Sequence, residues 1–109
     1  MKKKYVALPQ VEELIEEQSV EVQLEYDEIV EKLERQGRLQ SPFGEKVNSD
    51  LFAIRVVQAG NVRVFYVYGA DDFVYGIYGY VKKTQKIPLK QMKQAERVVK
   101  KLKQRGVLK

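Results

Sequence analysis

The chain has no cysteine and no histidine. The first absence removes disulfide staples and thiolate chemistry, and the default compartment for such a chain is the cytosol. Together the two absences remove Ser-His and Cys-His nucleophile pairs and leave a zinc site without its usual ligands. Neither a metal nor another cofactor is expected. Tryptophan is also missing, and proline occurs only three times. No apolar run approaches the roughly 20 residues that span a bilayer. The lysines after Met1 lead into no apolar signal core, so a cytoplasmic chain with no membrane partner is expected. The 109 residues are 44% hydrophobic and 32% charged. That composition suits one globular core rather than disorder or two cores, and residues 1–109 read as a single domain.

Charge is distributed unevenly. Residues 1–36 carry 5 Lys/Arg and 10 Asp/Glu, whereas residues 37–109 carry 15 and 5. An acidic first third joined to a basic remainder fits a polyanion-binding surface with a differently charged back.

Periodicity gives the elements. Lys2–Leu8 reads as a short strand ended by Pro9, and Val11–Gln18 as a short acidic helix. Ser19 is placed to cap a second helix carrying Val22, Tyr26, Ile29, Val30 and Leu33 at helical spacing, with Gly37 as its stop. Glu21, Glu25, Glu28, Glu31 and Glu34 fall mostly off that stripe and read as a solvated face. Gly37–Asp50 is a polar connection. Leu51–Val57 and Val62–Tyr68 are strands about a tight Gly60-Asn61 turn, and Gly69–Asp72 turns the chain into a third strand from Phe73. From Pro88 the spacing is helical again, with Leu89, Met92, Ala95, Val99 and Leu102 on one side. Lys90, Lys93, Arg97, Lys100, Lys101 and Arg105 lie on the other, as a solvated face, a phosphate contact or a landing place for an acidic partner.

The third strand ends in Lys82, Lys83 and Lys86, beside tyrosines. Cations hold phosphates while aromatic faces take bases. The same string also suits an ordinary solvated strand end. Arg55 and Arg63 flank the hairpin. A strict two-residue turn sets Arg55 against Tyr66 and places Arg63 on the other face. A loop one residue longer or shorter puts both arginines on one face, because side chains alternate with period two. An arginine inside a strand is costly unless wet or paired. One face of the sheet is therefore expected to stay partly open, with helices covering only the other.

This element order, with LFAIRVV at Leu51–Val57, RVFY at Arg63–Tyr66 and GYVKKTQKIP at Gly79–Pro88, resembles the RelE/ParE superfamily of bacterial toxins. Within it, the string Lys82-Lys83-Thr84-Gln85-Lys86, with Pro88, resembles the HigB-like, phage-related branch. The resemblance runs from about Val22 to Gly106. It implies an α+β fold: a short N-terminal strand, two helices, a three-stranded antiparallel meander and a C-terminal helix.

It also implies a metal-independent, ribosome-dependent endoribonuclease acting on mRNA in a type II toxin–antitoxin pair. The partner would be a helix-turn-helix antitoxin encoded by a neighbouring gene. By motif position, Arg63 would stand near the scissile phosphate with Tyr66 after it, and Lys83, with Lys82 or Lys86, would be the cation ending the last strand. Arg55, Tyr80, Lys46 and Gln85 would contact RNA. Relatives often carry a histidine before the lysine string, where this chain has Gly79-Tyr80. Cations would stabilise the phosphorane, and a lysine crowded by other cations would exchange protons. Two alternatives compete with this reading: a ParE-like toxin that binds gyrase, with the same fold and no RNA chemistry, and a non-catalytic phage-related nucleic-acid-binding protein.

Overall fold

Strands need hydrogen-bonded neighbours, and in the computed structural model of the chain, which describes residues 2–108, five strands supply them to one another. They are β1 (Lys4–Ala7), β2 (Gly44–Lys46), β3 (Phe52–Val56), β4 (Val62–Tyr68) and β5 (Phe73–Val81), in sheet order β1-β5-β4-β3-β2. The meander β3-β4-β5 is antiparallel, as its short connections predict. The sheet is wider than the three strands expected. β1 adds parallel to β5, and β2, inside the supposed polar connection, pairs antiparallel with β3. Gly44, Glu45 and Lys46 are poor strand formers. The open edge of β3 recruits them, and Arg55 N–H donates to the Phe43 carbonyl at 2.9 Å beside the ladder.

The helices are α1 (Pro9–Glu16), α2 (Val20–Gln36) and α3 (Leu89–Gln104). Pro9 opens α1 rather than merely ending β1, because a proline at the first helical position loses no hydrogen bond. Ser19 Oγ accepts from Val22 N–H at 3.2 Å, and Gly37, at φ 79°, closes α2 in the left-handed conformation. On one face of the sheet Val11, Ile15, Val22, Tyr26, Ile29 and Leu33 pack against Ile54, Val56, Val62, Val64, Tyr66 and Val74. On the other, Ala95, Met92, Val99 and Leu102 of α3 pack against Ala53, Phe65, Val67 and Ile77. Helices therefore cover both faces, and the expected open face is corrected. Among the described residues no helix is long and apolar enough to cross a membrane.

Two glutamates of the supposedly solvated face are structural. Glu34 Oε2 accepts from Tyr5 N–H at 2.9 Å. Glu25, buried, accepts from Val57, Gln58 and Ala59 N–H at 2.9, 3.1 and 2.6 Å. Three successive amides wrapped around one carboxylate form an anion nest. They hold the β3–β4 connection as a loop over residues 57–61 instead of a two-residue Gly60-Asn61 turn.

Beyond the end of β1, the Gln10 side chain continues the ladder along β5: its amide donates to Gly79 O and its oxygen accepts from Gly79 N–H, both at 2.9 Å. A Cβ at Gly79 would lie 2.6 Å from Leu14 Cδ2 and 3.2 Å from Val64 Cγ2. Gly79→Ala is expected to cost about 1–2 kcal/mol by overpacking, read as a lower midpoint in urea unfolding.

Candidate functional site

The loop fixes the register that the sequence left open. Arg55 faces Arg63 directly across β3 and β4, and Arg63 in turn faces Tyr80 of β5. A loop three residues longer than the tight turn shifts the pairing by an odd number, so both arginines share one face. Glu45, opposite Ala53 in β2, belongs to that same face. Lys82, one alternation beyond Tyr80, continues it, and its N–H still pairs with Asn61 O at 2.6 Å. Four strands thus deliver Glu45, Arg55, Arg63, Tyr80 and Lys82 to one end of one sheet face.

Arg63 is the most enclosed of them, 1% exposed. Its Nη1 donates to the Tyr80 hydroxyl at 2.8 Å, and its Nε lies 3.3 Å from Glu45 Oε1. Tyr80 stacks on Phe65 at 5.9 Å between ring centroids, which fixes the phenol where the guanidinium can reach it. Arg63 is therefore dry and ion-paired rather than wet, although its Nε and Glu45 Oε1 meet without hydrogen-bond geometry. Its charge is felt through Glu45, Tyr80 and its cationic neighbours. The Glu45 side chain keeps 35% of its exposure, so this carboxylate faces both the buried guanidinium and the outside. Arg55 is half-buried, and its Nε is enclosed without a hydrogen-bond partner. Partial desolvation first, then the charges of Arg63 and Arg55, push the Lys82 ammonium below the usual lysine value, while Glu45 pulls it back up. The Tyr80 hydroxyl, having accepted from Arg63, has its own proton free to donate.

Of the residues singled out from sequence, Arg55, Arg63, Tyr80 and Lys82 come together. Lys83 does not join the arginines. It lines an adjoining hollow of about 290 Å³ with Asn61, Lys82, Thr84 and Gln85. Gln85 Oε1 lies 3.5 Å from Lys82 Nζ, and Lys86 is exposed further along the loop, its carbonyl accepting from Thr84 Oγ1 at 2.8 Å. Tyr66 and Lys46 belong to the opposite face of the sheet. Tyr66 is 2% exposed, stacked on Phe52 at 5.6 Å, and burial pushes its hydroxyl pKa well up. It packs the core beneath α2, on the face away from Arg55, Arg63 and Lys82, and lines a hollow with Arg38 and Lys46. Lys46, paired with Phe52 in the ladder, is exposed on that same side. Glu45 was missed altogether. A single glutamate in a polar connection carries no signal until β2 is known to pair with β3.

The chain matches the family described as "Phage derived protein Gp49-like (DUF891)" over residues 13–100, a span containing every residue of the cluster. No curated protein matches the chain. With most of its length covered by that match, the chain belongs to the Gp49-like family of phage-derived proteins, a family related to RelE-like toxins of toxin–antitoxin systems.

Proposed function

We propose that the protein is the toxin of a type II toxin–antitoxin pair in the HigB-like branch. It would cut mRNA on the ribosome and be neutralised by a helix-turn-helix antitoxin. The observation that carries this reading is the convergence of Arg55, Arg63 and Lys82 with one carboxylate and one tyrosine on a single sheet face. RNA cleavage without a cofactor needs those parts. The 2′-oxygen attacks the adjacent phosphorus, its proton passes to a base, the bond from phosphorus to the 5′-oxygen breaks, and that oxygen is protonated. The products are a 2′,3′-cyclic phosphate and a 5′-hydroxyl.

Glu45 is the acceptor of the cluster and takes the base role. Lys82 is its proton-bearing cation and serves as the acid. Arg55, with Arg63 behind it, stabilises the phosphorane charge, a contribution of about 3–4 kcal/mol for one well-placed donor. Tyr80 holds Arg63 in place and keeps its own proton available to donate.

Primer extension on translated messages tests the reading. The wild-type protein is expected to leave new 5′ ends within codons; intact messages would refute it. The pH profile adds a second readout. An acid must be protonated, so the rate falls as pH rises through the lowered Lys82 pKa. Arg55→Ala removes one cation that lowers it, and is expected to move that limb to higher pH.

One observation favours a second reading, a nucleic-acid-binding protein without cleavage: Arg63 is already occupied by Glu45 and Tyr80. Under that reading, gel-shift binding persists while no new ends form.

A further inference from the structure

The helix that covers the arginine-bearing face carries a second cationic array, which the cleavage chemistry does not use. In α3 the residues turned to the sheet are Met92, Ala95, Val99 and Leu102. The opposite stripe holds Lys90, Lys93, Arg97, Lys100 and Lys101, all exposed. At about 1.5 Å of rise per residue, Lys90, Lys93, Arg97 and Lys100 are spaced by about 4.5–6 Å, with Lys101 next to the last of them. None forms an ion pair among the described residues, whose ion pairs are Lys3–Asp72, Arg35–Glu31 and Arg63–Glu45.

Helix stability does not account for this arrangement. Lys90 and Lys93 sit in the first turns, where the macrodipole disfavours cations, and no acidic residue occupies the first turn. Lys90 and Lys93, Lys93 and Arg97, and Arg97 and Lys100 are like-charge neighbours three or four residues apart, which repel. Glu96, three residues after Lys93 and four before Lys100, and the last-turn position of Lys101 offset part of this, but no helical requirement calls for the full row of cations. The stripe also contains no aromatic side chain; α3 reads LKQMKQAERVVKKLKQ. Proteins that grip single strands interleave cations with aromatic platforms for the bases. A row of cations without such platforms suits a ligand whose bases are already stacked and paired, leaving only phosphates to contact.

We infer that the outward stripe of α3 binds the phosphate backbone of a nucleic-acid duplex, at a surface separate from the Glu45–Lys82 cluster. The inference concerns binding alone and stands apart from the cleavage reading.

The test is fluorescence anisotropy with labelled hairpin RNA, hairpin DNA and unstructured single-stranded RNA, across a salt series. Each phosphate contact contributes about 0.9 to the slope of log affinity against log salt on a duplex. Replacing Lys90, Lys93, Arg97 and Lys100 together with glutamine is expected to flatten the hairpin slope by about 3–4. Lys93→Gln alone should flatten it by about 1. The fourfold variant should melt within a few degrees of wild type, because the repulsive pairs and the attractions of Lys93 and Lys100 to Glu96 are removed together. The tighter of the two hairpins identifies the duplex source, and preference for either over single strands supports the inference. An unchanged slope in the fourfold variant, as expected if the stripe serves an acidic protein, would overturn it. So would tighter binding of the unstructured strand through the same residues. Cleavage that persists with an unchanged slope sinks this inference alone, whereas a flattened slope without cleavage sinks only the toxin reading.

Discussion

Arg63→Ala is expected to lower stability by about 3 kcal/mol, and the melting temperature by roughly 10–20 °C. Arg63 fills a central-strand position at 1% exposure, with its charge spent on the Tyr80 hydroxyl and the Glu45 carboxylate. Truncation leaves a cavity beside Phe65 and Tyr80, removes the partner of the phenol and strands the carboxylate at the mouth of the site. Arg63→Met refills most of the volume, but it leaves the Glu45 carboxylate and the Tyr80 hydroxyl without their partner just as alanine does, and removing one partner of a buried pair is costly. The methionine variant is therefore expected to lose about 1–2 kcal/mol less than the alanine variant, the share due to the refilled cavity. Calorimetry on the pair separates the two consequences. A folded methionine variant that no longer cleaves assigns Arg63 an electrostatic part in the reaction, whereas loss of activity in the alanine variant alone reports folding. For the same reason, lost cleavage in Arg63→Ala is weaker evidence for the mechanism than lost cleavage in Lys82→Ala.

Glu25→Ala is expected to cost about 2–3 kcal/mol. The loss falls on the amides of Val57, Gln58 and Ala59, which share the carboxylate at 2.6–3.1 Å. Glu25→Gln keeps one acceptor oxygen and should fall between wild type and alanine. Denaturant unfolding gives the magnitude. Amide exchange locates it: the three loop amides should exchange faster in Glu25→Ala, while those of β5 keep their relative protection. Because this loop sets the parity of the hairpin, its loosening also threatens the alignment of Arg55 with Arg63. Under the cleavage reading the rate should drop in Glu25→Ala although Glu25 is on the far side of the sheet.

Local signals in the sequence predicted local structure well. Ser19 and Gly37 bound α2 as cap and stop, and the run VRVFYVY forms β4 over the range its composition indicates. Signals that depend on distant residues were silent. Nothing near Gly60-Asn61 announces that Glu25, more than thirty positions earlier, reaches over to shape the loop. Nothing in Gly44–Lys46 foretells a strand, since the demand comes from the edge of β3. The choice of Lys82 over Lys83 as the cation beside the arginines follows from strand parity, which becomes legible only once the register is fixed. One clue was available. A strand apolar on both sides is a central, doubly covered strand, so Val62–Tyr68 itself implied that Arg63 would be buried and paired. The same reasoning places Tyr66 in the core beneath α2, away from the arginine cluster.

The central claim is that Arg55 and Lys82, supported by Arg63, Tyr80 and Glu45, make one RNA-cleaving surface. The most direct measurement is the single-turnover cleavage rate of Arg55→Ala and Lys82→Ala on translated mRNA, with melting temperatures taken on the same preparations. The account predicts a fall of about 100-fold or more in each variant, with melting within a few degrees of wild type. Wild-type rates in both folded variants would contradict it.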